Sequence, residues 1–278
     1  MLSKRILAIF EISRPINVFI AILSIFVAVV ITGTIQPFHK VILACLSGAV
    51  IMAASNTIND YFDLDIDRIN RPGRPLVRGK LTPFQAITVS WVEFGTGCML
   101  ALWINSTAFL IAGVVSGIII IYSFRLKRLP LLGNLAVSFS TAMAFIYGGV
   151  AVNRIRETLV PAVLAFFFHF GREIIKDLQD REGDSHGLAH TFPLVYGESA
   201  ALTLITAIFV LLGLILPLPF IFGWYNGLYL LVIVLGIYPV LSYVAISMWK
   251  NRSPRNLGFL SNLLKADMLV GLLAIYLG

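Results

Sequence analysis

The sequence predicts an all-α, polytopic membrane protein. Three observations carry that class. Hydrophobic residues make up 58% of the chain and charged residues only 13%, the mean hydropathy is +0.90, and apolar runs of bilayer-crossing length recur between charged or Pro- and Gly-marked breaks. A helix needs roughly 17 to 25 apolar residues to cross about 30 Å of hydrocarbon. Nine runs meet that length, near 15–35, 39–58, 83–103, 107–124, 131–151, 158–176, 199–217, 223–248 and 258–277. Composition of this kind excludes an ordinary soluble globular domain.

Taken in order, the first run follows Arg14-Pro15. It is too long for the core of a signal peptide and lacks a small-residue cleavage site, so a retained span is expected. The second run ends in the acidic stretch NDYFDLDIDR, which begins at Asn59. The third holds Cys98 as the second holds Cys45; thiols inside spans act as small apolar fillers, so neither a disulfide nor a metal is expected of them. The fourth leads into the basic segment YSFRLKR, and the fifth carries Asn134 near its start. The sixth ends in a second acidic stretch, REIIKDLQDREGD, and the seventh and eighth are uncharged in mid-span.

Lys and Arg fix the expected orientation. With the N-terminus cytoplasmic, that side holds Lys4, Arg5, Arg14, Arg68, Arg71, Arg74, Arg78, Lys80, Arg125, Lys127, Arg128, Arg172, Lys176, Arg181, Lys250, Arg252 and Arg255. The opposite side holds only Lys40, Arg154 and Arg156, with Lys265 inside the last run. The net charge of +7 therefore speaks for membrane topology and anionic ligands at one surface, and no nucleic acid partner is needed to explain it.

The two acidic stretches share one spacing. Asp60, Asp63 and Asp67 match Asp177, Asp180 and Asp184, since 177 − 60, 180 − 63 and 184 − 67 are each 117. The match suggests a single domain over 1–278 built as a pseudo-repeat, with helices 1–4 over about 15–124, helices 5–8 over about 131–248, and a ninth helix. Offsets of three, four and seven put side chains on one helix face, so each trio can converge if its helix continues past the bilayer surface. Carboxylates gathered in this way repel unless cations hold them, and hard oxygens suit Mg²⁺, which keeps positions for phosphate oxygens. A solvated loop explains either stretch alone, but not the repeat. An EF-hand reading of Asp63, Asp65 and Asp67 fails because Arg68 stands at the turn glycine and Arg74 at the bidentate glutamate.

Cations surround the acids. Arg71 and Arg74 in NRPGRPLVRGK, Lys127 in the basic segment and Lys176 beside Asp177 fit a divalent-metal diphosphate, with side chains on the outer oxygens. Flanking positive-inside charge suffices for Arg78, Lys80, Lys250, Arg252 and Arg255. Asn17 and Asn134, polar within apolar runs, are expected to face the protein interior. His186 and His190 are four apart but no third ligand accompanies them in sequence, so zinc is not expected.

At these residues the chain resembles the UbiA-type intramembrane prenyltransferases, whose signatures NDxxDxxxD and DxxDxxxD are met by Asn59, Asp60, Asp63 and Asp67 and by Asp177, Asp180 and Asp184. The early Arg14-Pro15, NRPGRP after the first motif and the segment Tyr122 to Lys127 extend the similarity over the chain. The resemblance implies nine transmembrane helices around a central cavity with a cytoplasmic cap, in the cell membrane, and Mg²⁺ with an isoprenyl diphosphate at the two motifs. It implies metal-binding and catalytic roles for the six aspartates. Asn59, Arg14, Asn17, Arg71, Arg74, Tyr122, Lys127 and Lys176 are expected to contact substrate. Within the family, REIIKDLQDREGDSHGLAHTFP looks most like archaeal members that transfer a geranylgeranyl group onto geranylgeranylglyceryl phosphate, a phosphate-bearing lipid-soluble acceptor. The alternative within the enzyme class is an aromatic or porphyrin acceptor. A cation-coupled transporter is the alternative outside it, but transporter acids tend toward mid-membrane, whereas these cluster at one face.

Overall fold

The computed structural model describes residues 2–186 and 190–278, and among them only helices, turns and loops occur, without a strand. The chain divides into two compact units, each treated separately below. Unit 1 is Met1–Lys127 with Met143–Thr158, and unit 2 is Arg128–Ala142 with Leu159–Gly278.

Unit 1 contains α1 (Leu2–Ile12), α2 (Pro15–Val30), α3 (Phe38–Phe62), α4 (Leu64–Asn70), α5 (Pro83–Leu102), α6 (Ser106–Phe124) and the later part of α7 (Leu132–Ala151). Helix starts follow the sequence chemistry. Thr82 and Gln85 form a reciprocal capping box ahead of Pro83, and the Asn105 side chain accepts from the Ala108 N–H at 2.7 Å. The core joins Ile25, Ala44, Ile51, Ala54, Ile58 and Phe94. Two hydroxyls within it form a chain of hydrogen bonds, which offsets the cost of burying them: the Tyr147 hydroxyl donates to Ser47 Oγ at 2.8 Å, and Ser47 donates to the Gly97 carbonyl at 2.8 Å. Close helix approach needs Gly148, where a Cβ would sit 2.6 Å from the Ile25 carbonyl oxygen.

Unit 2 contains the first part of α7, then α8 (Leu159–His186), α9 (Phe192–Tyr196), α10 (Glu198–Ile215), α11 (Leu218–Ile221), α12 (Gly227–Val232), α13 (Tyr238–Lys250) and α14 (Pro254–Leu277). A π turn at Ile233–Ile237 joins α12 to α13. Ile174, Ile175, Leu178, Leu202, Ile205 and Leu260 form its core, and Gly171 admits the Phe209 ring where a side chain would collide.

The span count departs from nine. Among the described residues seven helices are long and apolar enough to cross a membrane, or eight if Arg5–Ile12 and Pro15–Val30, bent by 54°, form one broken span. The first expected run is therefore a 16-residue helix behind a bend. The third is the 20-residue α5, which stands outside the seven because Gln85 and Glu93 dilute its apolar character. The other expected runs are all helices long and apolar enough to cross, with ends shifted by a few residues except at 158–176, whose helix α8 runs on to His186. One offset recurs in the backbone: α2 opens at Pro15 and α7 at Leu132, again 117 apart, behind Arg14 at φ 53° and Leu131 at φ 61°.

Candidate active site

In unit 1 the first acidic motif is assembled from four pieces of chain. Helix α3 ends at Phe62; Asp63, at φ −93° and ψ 3°, breaks it, and α4 begins at Leu64. The continuation on which convergence of this trio depends is thus a helix, a kink and a short second helix. Register is nearly kept, because the Asp67 N–H donates to the Asp63 carbonyl at 2.7 Å. Asp60 and Asp67 are both buried, at 1% and 4% exposure.

Each carboxylate is met by a cation. Arg74, returning from the turn after α4, ion-pairs with Asp60 at 2.9 Å and also with Asp67. Arg14, at the bend between α1 and α2, pairs with Asp60. Lys127, in the 3-10 turn after α6, pairs with Asp63. Asn17 supports the arrangement from beneath: its amide donates to Asn56 Oδ1 at 3.2 Å, and Asn56 donates to the Ser13 carbonyl at 2.8 Å, fixing the bend against α3. Burial pushes the Asp67 carboxyl up to about 6, with Arg74 opposing and Asp63 and Asp60 adding to the rise. Burial works against the Arg74 charge, but Asp60 and Asp67 outweigh it and raise its pKa.

Arg71 is half-buried and donates to the Asn70 carbonyl at 3.4 Å; Tyr122 is half-buried near the end of α6. Two hard acceptors stand out: Asn59 Oδ1 and Asp60 Oδ2 are buried and accept no hydrogen bond. Oxygen acceptors left over on consecutive motif residues are what a hard divalent cation such as Mg²⁺ takes, so the residues of this motif fit that ion. Among the described residues, no three His, Cys, Asp or Glu side chains already form a closed metal cluster.

In unit 2 the helix does continue. Helix α8 runs unbroken through Asp177, Asp180 and Asp184 to His186, all three aspartates being half-buried. Asn134 at the start of α7 donates to Asp177 Oδ2 at 2.8 Å. The Glu173 carboxylate accepts from Arg172 and from Lys176, each at 2.9 Å, and Arg172 Nε donates to the Ser261 carbonyl of α14 at 3.1 Å. Sequence reasoning did not include Asn56, Arg172 or Glu173 among the site residues. The readable signal was an i, i+3 Glu-Lys pair inside an otherwise apolar run. The side chain of His186 lies outside the described residues.

The family model of the UbiA prenyltransferase family matches residues 18–264. The chain belongs to the UbiA prenyltransferase family. Among UbiA relatives, the digeranylgeranylglyceryl phosphate synthase of Methanopyrus kandleri is 35% identical over 267 residues, covering 96% of this chain and 97% of its own. The enzyme of the same name from Thermococcus kodakarensis is 38% identical over 209 residues, 75% of each chain. A solved structure of digeranylgeranylglyceryl phosphate synthase is similar with a TM-score of 0.79 at 28% identity, covering 99% of this chain and 98% of its own. A UbiA homologue from Archaeoglobus fulgidus bound to DMAPP and Mg²⁺ has the same fold, with a TM-score of 0.72 at 21% identity over 94% of this chain and 98% of its own.

Proposed function

We propose that this prenyltransferase moves a geranylgeranyl group from geranylgeranyl diphosphate to the glyceryl hydroxyl of geranylgeranylglyceryl phosphate. The near full-length similarity to synthases of that product carries the reading. The Lys and Arg asymmetry of the chain supports a cytoplasmic position for both motifs, at the cell membrane.

Asp60, Asp63 and Asp67, together with Asp177, Asp180 and Asp184, would hold Mg²⁺, with Asn59 Oδ1 and Asp60 Oδ2 offering acceptors not otherwise used. When bound, the ion supplies neutralisation of the departing diphosphate. The rest of the work belongs to the chain. Lys127, Lys176 and Arg74 take outer diphosphate oxygens, stabilising charge as the allylic C–O bond breaks. Arg14, fixed at its bend, or Arg71 takes the acceptor phosphate. The apolar interior keeps water from the allylic cation, with Tyr122 offering a ring face. The glyceryl oxygen then attacks the cation and its proton leaves late, to diphosphate or to an aspartate.

The test is purified protein in detergent with Mg²⁺, radiolabelled geranylgeranyl diphosphate, and either geranylgeranylglyceryl phosphate or aromatic acids as acceptor. Labelled product with the glyceryl phosphate is expected. Product with the aromatic acids alone would reject the reading.

A further inference from the structure

We propose that His169 is a catalytic residue: its imidazole accepts the hydroxyl proton of the acceptor lipid as the glyceryl oxygen attacks the allylic carbon. The proposal rests on the glyceryl-phosphate reading given above and adds to it the group that first takes the proton. From Leu159 to Gly171 every other residue of α8 is apolar or glycine, so His169 is the single polar side chain of that stretch. It is half-buried, meets the Phe168 ring edge-on with centroids 6.3 Å apart, and makes no hydrogen bond among the described residues. An imidazole kept without a partner inside a span is costly unless a ligand uses it.

The helix geometry shows which face carries the ring. Residues of an α-helix turn by about 100° each, which puts Lys176, Asp180 and Glu173 within about 40° of His169 around α8, on the face of the second motif. Arg172, Glu173 and Lys176 all act electrostatically on the ring. Along the axis His169 precedes Lys176 by about 10 Å, in the direction of the bilayer interior. Both side chains lean toward the start of the helix, so an interval of that order separates ammonium from imidazole. A diphosphate held at Lys176 with its tail directed into the bilayer puts the allylic carbon within that interval, and a hydroxyl fits between carbon and ring. Glu173 lies nearer but is closed to this role, because one of its oxygens accepts from Arg172 and the other from Lys176, each at 2.9 Å. At the 117-residue offset His169 corresponds to Met52, so only the second helix of the repeat carries a proton acceptor at this position.

The step balances without another reactant. The allylic C–O bond breaks with its electron pair on the diphosphate, and the glyceryl oxygen forms the new C–O bond with a lone pair. Its O–H proton passes to the free ring nitrogen that a neutral imidazole offers, and from there to the departing diphosphate.

The test counts two products of radiolabelled geranylgeranyl diphosphate with Mg²⁺ in detergent: the ether formed with geranylgeranylglyceryl phosphate, and the geranylgeraniol formed when water traps the cation. His169→Phe should lower the ether rate and the ratio of ether to geranylgeraniol about a hundredfold or more, with donor KM within about threefold of the parent's and the melting temperature near it. His169→Gln keeps a hydrogen-bonding oxygen but takes no proton, and should show the same loss with acceptor KM unchanged; should His169→Phe not fold, it carries the test alone. An ether rate near the parent's in either variant would overturn the proposal. So would a parallel fall of both products at an unchanged ratio, which marks lost ionisation or a lost fold. The reading beneath the proposal is checked in the parent: product with aromatic acids alone would sink both, whereas ether from the parent and an undiminished rate in the variants would sink only the role of His169.

Discussion

Arg74 pairs with Asp60 and Asp67, the carboxylates to which the proposal also assigns the divalent cation, so removing the arginine should make the fold depend on the ion. Asp67 sits in the folded protein at about 6 against an ordinary value of 3.8, a gap that costs about 3 kcal/mol at pH 7 to keep it ionised. The sign follows: the folded carboxyl binds its proton more tightly than the unfolded one, so its stabilising contribution is complete below about 4 and is lost as pH rises through about 6. Arg74 limits that loss, being 2.9 Å from Asp60 and paired with Asp67, with its own side chain 20% exposed. Arg74→Met leaves Asp60 with Arg14 but takes from Asp67 its arginine. Breaking a buried pair costs about 3–5 kcal/mol, and protonation of Asp67 caps the loss near the lower figure. At about 2–4 °C per kcal/mol, the melting temperature in detergent with EDTA at pH 7.5 should fall by roughly 6–12 °C. The deficit should shrink at pH 5, where Asp67 is protonated in both proteins. Mg²⁺ in the millimolar range should raise the variant's melting temperature by more than it raises the parent's. An equal deficit at both pH values, untouched by Mg²⁺, would refute the argument that Arg74 and the metal share one charge balance.

Other consequences are read by activity. Asp63→Ala and Asp180→Ala should each lower turnover by at least about a hundredfold while the melting temperature stays near that of the parent; near-normal rates would remove the metal assignment. Lys127→Met, which takes from Asp63 its lysine and deletes the proposed diphosphate contact, should raise donor KM about tenfold to a hundredfold and leave acceptor KM alone, as measured by initial rates with each substrate varied. Asn134→Ala takes from Asp177 its amide donor at 2.8 Å and should raise the Mg²⁺ concentration for half-maximal rate about fivefold, with little change at saturating Mg²⁺.

What the sequence made legible was what depends on spacing and hydropathy. Apolar runs locate the helices, and the shared offset of 117 singles out the six aspartates. The α1–α2 bend and the kink at Asp63 were not legible, because both are set by long-range contacts. Arg14 adopts φ 53° in company with its bond to Asp60, 46 residues away, and with Asn56 binding the carbonyl just before it. The same reason explains the span count: Pro83–Leu102 reads as a crossing by length, yet Glu93 within it is half-buried beside α3, and no local pattern distinguishes a polar residue turned inward from one that ends a span.

The residues missed as site members, Asn56, Arg172 and Glu173, follow from one further fact. Each of these acts through a neighbouring side chain or carbonyl, a role that residue type and spacing alone do not mark. Asn56 fixes the bend that presents Arg14. Arg172 spends its Nε on the Ser261 carbonyl of α14. Glu173 occupies Lys176. A repeat found by its aspartates therefore carries a second layer, four and three residues upstream, in which the two motifs differ: amides at 56 and 59 in the first, a carboxylate and a lysine at 173 and 176 in the second. The first motif takes its positive charge from distant chain, through Arg14, Arg74 and Lys127. The second carries its lysine on its own helix, paired with Glu173 at 2.9 Å. Donor affinity should accordingly respond to substitutions within α8 for the second motif, and to substitutions in the loops after α1, α4 and α6 for the first.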